Sequence, residues 1–326
     1  MDAIVVLSFG GPEGMDDVRP FLRNVLRGRP VPPERIEEVA HHYELFGGVS
    51  PLNGQNRALV AALRARLAEA GPDLPVYWGN RNWAPYLADT LRDMARDGVR
   101  SALGFVTSAF SSYSGCRQYL EDVERARAEV GADAPEVQKL RAFYNHPRFL
   151  AANADPVRAA LATLGPDARL VFTAHSIPVA MAAGCAYEAQ LREAAALVAA
   201  AAGHGRFDLA FQSRSGPPSQ PWLAPDIGDY LEQVAAEGAR DVVVCPIGFV
   251  SDHMEVLFDL DTEALARARE LGLRMVRTPT ASNHPGYVEM VRELIVERLE
   301  GTARATAAGS PALPDACAPG CCPRTT

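Results

Sequence analysis

Seven short apolar runs punctuate the chain, at 3–8, 75–79, 101–107, 169–174, 208–213, 241–247 and 273–277. Their length and composition predict β-strands. Between them apolar positions recur at helical spacing. Amphipathic helices are expected at about 15–27, 33–45, 54–70, 84–97, 117–130, 148–163, 187–202, 226–237, 255–271 and 285–299. Pro147, Pro178, Pro285 and the Pro32-Pro33 pair fall near helix starts, where proline is at home. Strands alternating with helices imply parallel sheets joined by crossover helices. The pattern runs twice, with a break near Tyr144-Asn145-His146-Pro147 and no literal repeat of sequence. Two similar α/β halves are therefore expected, 1–145 and 146–300, facing one cleft. Residues 301–316 are rich in Ala, Gly, Thr and Pro and read as a linker. The segment 301–326 is thus a linker and a cysteine-containing tail.

Composition narrows the function. Of 326 residues 48% are hydrophobic, enough for a real core, and the net charge is −8. That charge argues against nucleic acid or an anionic membrane surface as main partner. No apolar run approaches the roughly 18 residues of a spanning helix, so no membrane insertion is expected. The chain begins at once with a strand, Ala3-Ile4-Val5-Val6-Leu7, which is neither a secretory signal nor an arginine-rich transit peptide. A cytoplasmic enzyme is the default. Six cysteines, at 116, 185, 245, 317, 321 and 322, do not suggest a disulfide framework in a reducing compartment.

Two segments carry candidate chemistry. Arg169-Leu170-Val171-Phe172-Thr173 runs into Ala174-His175-Ser176-Ile177-Pro178, and Asp241 to Val250 runs into Ser251-Asp252-His253-Met254-Glu255. In open α/β sheets ligands bind beyond the carboxyl ends of strands. His175 is either a hydrogen-bonded strand end or a base and metal ligand. His253 carries the same ambiguity. Glu255 and Asp259 are four apart, on one face of a helix. They form either an exposed acidic stripe or a track for cations and protons, and apolar Met254, Val256, Leu257, Phe258 and Leu260 favour partial burial. A nucleotide site is disfavoured. Phe9-Gly10-Gly11-Pro12 lacks the G-x-G-x-x-G spacing, Pro12 removes an amide donor, and Gly47-Gly48-Val49-Ser50-Pro51 lacks a P-loop lysine.

Six motifs in this order resemble the ferrochelatases, most closely the soluble bacterial coproporphyrin type. They are Ser8-Phe9-Gly10-Gly11-Pro12, Gly47-Gly48-Val49-Ser50-Pro51-Leu52, Ala174-His175-Ser176-Ile177-Pro178, Phe211-Gln212-Ser213-Arg214-Ser215-Gly216, Pro221-Trp222-Leu223, and Ser251 to Asp261. The resemblance covers about residues 1–300. It implies a chelatase-like α/β fold: two Rossmann-like halves, each a parallel sheet flanked by helices, with the active-site cleft between them. The activity it implies is insertion of Fe²⁺ into a porphyrin with release of two protons, in haem biosynthesis. Pyrrole N–H groups are very weak acids, so the ring must be bent and a base must take its protons. Iron(II) accepts imidazole and carboxylate.

The resemblance makes His175 an iron ligand and proton acceptor and Glu255 the carboxylate opposite, with metal delivery and proton removal assignable either way. His253 and Asp259 become supporting or relay groups. Ser50, Tyr119 and Phe9 are expected to contact the macrocycle, and Arg27 and Arg29 to meet its propionates or remain solvated surface charges. Two positions depart from many relatives: Phe9 where a tyrosine could touch the metal, and His42 where some have a propionate-binding arginine. Residues 21–49 carry Arg23, Arg27, Arg29, Glu34, Arg35, Glu37, Glu38, His41, His42 and Glu44. That polarity suits the four-carboxylate coproporphyrin III better than protoporphyrin IX. The remaining alternatives are a protoporphyrin enzyme, a cobalt- or nickel-inserting relative, and a non-catalytic porphyrin- or haem-binding carrier with a sensing cluster. Some family members hold a 2Fe–2S cluster, which needs four thiolates. By resemblance its ligands are Cys116, Cys317, Cys321 and Cys322, with Cys185 and Cys245 plain thiols.

Overall fold

A computed structural model describes residues 1–28, 31–217, 219–307 and 309–324, with Asn283 described by its backbone only. The chain divides into two compact units. The first comprises Met1–Thr107, Tyr119–Leu140 and Asp252–Met254; the second comprises Ser108–Gln118, Arg141–Ser251 and Glu255–Thr326.

In the first unit β1 (Ala3–Ser8), β2 (Val76–Asn80), β3 (Ser101–Val106) and β4 (Glu136–Lys139) form a parallel sheet in the order β2-β1-β3-β4. β1 is central and every one of its residues is buried. Ala3, Val5 and Leu7 project from one face onto Leu87, Leu91 and Met94 of the crossover helix Leu87–Arg96. That alternation is what the period-2 geometry of a strand requires. The sequence pattern misses β4. Glu136-Val137-Gln138-Lys139 is mostly polar, as suits an edge strand, and its register is set by pairs such as Gly104↔Lys139.

In the second unit β5 (Arg169–His175), β6 (Asp208–Gln212), β7 (Asp241–Cys245) and β8 (Arg274–Arg277) form another parallel sheet, ordered β6-β5-β7-β8. Each sheet thus places its second, first, third and fourth strands side by side in that order. The repeat inferred from the strand–helix pattern is a repeat of topology.

The division falls between Leu140 and Arg141, five residues before the break read from sequence. The reason lies in the tail. Arg141 is bound to Glu297 through Nε–Oε2 (2.8 Å) and Nη2–Oε1 (3.0 Å), and Nη2 also donates to the Ala305 carbonyl (2.9 Å). Asn145 donates to Ser310 Oγ (2.6 Å) and to the Pro311 carbonyl (2.9 Å), and its own carbonyl accepts from Ala307 N–H (2.9 Å). The stretch expected to be a linker is therefore a strap laid on the second unit. Its small residues bring the backbone close enough for buried side chains to hold it. Ser108–Gln118 joins the same unit because Phe110 packs on Tyr144, Phe149 and Tyr187, and Gln190 holds both the amide and the hydroxyl of Ser111. Among the described residues, no helix is long and apolar enough to cross a membrane.

Candidate active site

His175 is the last residue of β5, paired in register with Gln212 of β6. It stands at the carboxyl end of a central strand, where α/β sheets hold ligands. The ring nitrogen Nδ1 lies 2.5 Å from the Ser176 carbonyl, so the proton is assigned to Nδ1 as donor. This leaves the Nε2 lone pair facing outward as base or ligand. Tyr187 donates its hydroxyl to the His175 carbonyl at 3.1 Å and fixes the backbone. Gly248 lets the loop after β7 press against β5: a Cβ there would come within 2.4 Å of Ala174 Cβ. Phe249 from that loop approaches the His175 ring, with centroids 6.5 Å apart.

Nε2 of His175 is 3.6 Å from Oε2 of Glu255. The gap exceeds a hydrogen bond, so neither atom is consumed by the other. Glu255 is exposed and His175 partly so. Glu255 sits on a helix that starts at Met254–Val256, widens into a π-helical stretch over Leu257–Ala264, and returns to α over Leu265–Glu270. Val256, Leu260, Ala264 and Ala268 are buried with Ile227, Leu231 and Val234. The sequence reading of a plain helix over 255–271 misses this. A π stretch carries no composition signature, yet such stretches are frequent at functional sites.

Asp259 is held from below. Ser213 Oγ donates to its Oδ2, and Gln212 Nε2 lies 3.3 Å from the same oxygen. Burial pushes its carboxyl from 3.8 up to about 7, against the lowering effect of Ser213 and with the help of the Glu255 charge. Ser213 adopts φ 60°, a left-handed conformation rare for a residue with a Cβ. A strained residue at a strand end, aimed at a half-buried carboxyl, is the kind of feature found at reactive sites. Its motif was visible in the sequence, but nothing in the motif announced this role.

His253 falls in the Asp252–Met254 piece that groups with the first unit; the neighbouring Asp252 amide donates to Gln55 Oε1 at 3.0 Å, and Met254 is buried with Val18, Phe21 and Tyr43. Phe9 in the same unit presents an exposed ring, edge-on to Phe21 at 6.2 Å. Ser50 and Tyr119, expected at the macrocycle, are both buried. The Ser50 hydroxyl caps the helix Pro51–Ala70, accepting from Leu52 N–H at 3.5 Å, and a Cβ on Gly11 would strike it. Tyr119 lies under the Arg81 guanidinium, 4.0 Å from its ring centroid, and Arg81 in turn pairs with buried Asp122. Arg27 is exposed and donates to Asn24 Oδ1 at 2.8 Å. Arg29 lies outside the described residues. Of the charges in 21–49, Glu37 pairs with Arg19, Arg35 with Glu38, and His41 with Glu44.

The cysteines meet within the second unit. Cys116 Sγ is 3.9 Å from Cys317 Sγ, and Cys321 Sγ is 3.6 Å from Cys322 Sγ. Burial pushes the Cys322 thiol far up, and the fields of Cys321, Cys116 and Cys185 push it further. Among the described residues, no group of three or more His, Cys, Asp or Glu side chains is arranged to hold a single metal ion. Pairs of sulfurs are what a tetrahedral metal with metal–sulfur bonds of ~2.3 Å would span at about 3.8 Å. Each of the two pairs, Cys116 with Cys317 and Cys321 with Cys322, has about that spacing. Cys245 is sealed in β7, where burial drives its thiol up to about 12.

Known structures share this architecture. A multi-domain Deinococcus radiodurans protein described as structurally similar to chelatases aligns over 93% of this chain and 56% of its own length, with TM-score 0.57 and 18% identity. A cobalt complex of the sirohydrochlorin chelatase SirB from Bacillus subtilis subspecies spizizenii aligns over 92% of this chain and 98% of its own, with TM-score 0.54 and 11% identity. The fold is that of a chelatase-like α/β protein. The sequence model of the ferrochelatase family matches residues 1–299, and the chain belongs to that family. A protein named ferrochelatase from Rhodopirellula baltica is 57% identical over 302 residues, covering 91% of this chain and 86% of its own. One named coproporphyrin III ferrochelatase from Nocardia farcinica is 53% identical over 341 residues, covering 99% and 96%. A Mycobacterium marinum protein of the same name is 55% identical and covers 92% of this chain and 88% of its own.

Proposed function

We propose that this protein inserts Fe²⁺ into coproporphyrin III, releasing two protons, in the cytoplasm. The observation that carries the reading is the pair His175 Nε2 and Glu255 Oε2, 3.6 Å apart at a strand end. The names and high identities of the relatives support the substrate. Insertion needs a base for each pyrrole proton and a route for the charge to leave. His175, with Nδ1 committed to the Ser176 carbonyl, offers Nε2 to the ring nitrogens or the iron. Glu255 is the carboxylate that hands Fe²⁺ toward that nitrogen and offsets its charge. Asp259, one turn further along the helix, receives protons and passes them to water. Phe9 is assigned as a stacking surface for the macrocycle and Arg27 and Arg29 as donors to its carboxylates. Ser50 and Tyr119 act from beneath, Ser50 by capping its helix and Tyr119 by supporting Arg81. His253 is assigned a supporting role beside Glu255 in sequence.

Anaerobic incubation with Fe²⁺ and either porphyrin tests the substrate. Coproporphyrin III should be metallated with the higher kcat/KM; faster turnover of protoporphyrin IX would refute the assignment.

The Asp259 carboxyl gives a pH dependence with a definite sign. Its proton acceptance grows as pH rises through about 7. The kcat/KM for Fe²⁺, which reports groups of the free enzyme, should therefore rise between about pH 6 and 8. Asp259→Asn should flatten that limb; an unchanged profile would remove Asp259 from the proton path. Stability runs the other way. A carboxyl raised from 3.8 to about 7 binds its proton more tightly folded than unfolded, so its contribution is lost as pH climbs through that window.

We also assign a 2Fe–2S cluster to Cys116, Cys317, Cys321 and Cys322, one sulfur pair for each iron. Bound, it would tie the tail to the body. Anaerobically purified protein should carry visible absorption, two irons and two acid-labile sulfides per chain; colourless protein free of both would eliminate it.

A further inference from the structure

The tail is held at two places by different means. Arg141 and Asn145 grip Ala305 to Pro311 through hydrogen bonds. Beyond Asp315, which pairs with Arg304, the remaining residues bring three cysteines to the body. Nearest to a body thiol is Cys317, whose sulfur is 3.9 Å from that of Cys116, 201 residues away in sequence.

The two partners are unequally placed. Cys116 is buried and rigidly presented. It lies in the π-helical turn Tyr113–Arg117, whose start is capped by Ser112 Oγ accepting from Gly115 N–H at 2.9 Å. Ser112 O accepts from the Cys116 amide at 3.0 Å, and Gly115 is packed so closely that a Cβ would meet Ser108 Oγ at 2.6 Å. Cys317 is partly exposed and lies in an irregular stretch that can shift more readily. A disulfide requires about 2.05 Å between sulfurs, so the pair must close by roughly 2 Å. The other close pair is poorly suited. Cys321 and Cys322 are consecutive, and a bond between them would make an eight-membered ring that strains their shared peptide. Cys322 already sits at φ 50°. Cys185 donates to the Met181 carbonyl at 3.3 Å, and its chain neighbour Gly184 is covered by Pro323 of the tail.

We propose that Cys116 and Cys317 form a reversible disulfide latch that keeps the tail on the body when no cluster is bound. The inference rests on the cluster reading only for what shields the thiols, since sulfur bound to iron is not free to oxidise. The chemistry balances with hydrogen peroxide as oxidant. The partly exposed Cys317 thiolate attacks the peroxide O–O bond, giving a sulfenic acid and hydroxide. The Cys116 thiolate then attacks that sulfur and expels hydroxide, forming the S–S bond. Two protons from the thiols convert the two hydroxides to water. A thiol reductant reverses the step.

The test uses the full chain. Protein is treated with peroxide until any visible absorption is lost, capped with N-ethylmaleimide, and digested without reductant for mass mapping. A Cys116–Cys317 linked peptide is expected, abolished by dithiothreitol and retained in Cys185→Ser. The oxidised form should melt about 5 °C or more above the reduced cluster-free form, because a crosslink between such distant residues restricts the unfolded chain. Cys116 and Cys317 both capped, or Cys321 linked to Cys185 or Cys322 in their place, would overturn the proposal. Protein that is colourless from the start contradicts the cluster assignment alone, and the same mapping still decides the latch.

Discussion

His175→Ala should lower kcat for Fe²⁺ insertion by about 10³-fold or more, while coproporphyrin III binds within about threefold of wild type. A positioned general base alone is worth roughly 10²–10⁴ in rate, and His175 is assigned metal contact as well. The binding side of the expectation follows from geometry. His175 is one side chain at the end of β5; its ring meets the Ser176 carbonyl and its own carbonyl accepts from the Tyr187 hydroxyl, so its removal should leave the rest of the porphyrin surface in place. A wild-type rate in this variant would remove His175 from the chemistry. A loss confined to KM for porphyrin would make it a binding residue only. Glu255→Gln keeps the shape but removes the charge, and should raise KM for Fe²⁺ as well as lower kcat.

Arg141→Ala should be the most destabilising single change away from the site. Arg141 and Glu297 are buried, with side chains 1% and 8% exposed. Removing one partner of a buried ion pair typically costs 3–5 kcal/mol, because the other charge is left uncompensated. Here the loss extends further. The freed Glu297 still accepts from Ala305 N–H, but Ala305 O loses its donor, so the strap is released at its first anchor. A fall in Tm of about 6 °C or more is expected, with faster proteolysis in 301–316. Arg141→Lys should recover part of the stability but not the two-pronged grip. A variant with unchanged Tm and an equally resistant tail would show that the strap is held elsewhere.

The sequence made the central strands legible because they are short, dense in Val, Ile, Leu and Phe, and separated by helical periodicity. β1 and β5 are buried along nearly their whole length, and burial is what that density records. β4 was hidden because an edge strand buries little. The tail was misread because its Ala, Gly and Pro composition is shared by free linkers, whereas the determinants of its docking, Arg141 and Asn145, lie more than 150 residues earlier. At the site, His175 and Glu255 were legible as polar residues following apolar strands. Their separation was not, since it depends on how closely the loop after β7 packs against β5. Ser50 belongs to a recognisable motif, but the burial of Ser50 and Tyr119 depends on packing that the motif does not encode.

Metal insertion is assigned to His175 and Glu255. The direct measurement is anaerobic mixing of the full-length protein with coproporphyrin III and Fe²⁺, following porphyrin absorbance and proton release together. Wild type should convert the free-base spectrum to that of the iron complex with two protons released per ring, while His175→Ala retains the bound free-base spectrum. Bound coproporphyrin that is never metallated by wild type, or metallation at equal rate in the two proteins, would contradict it.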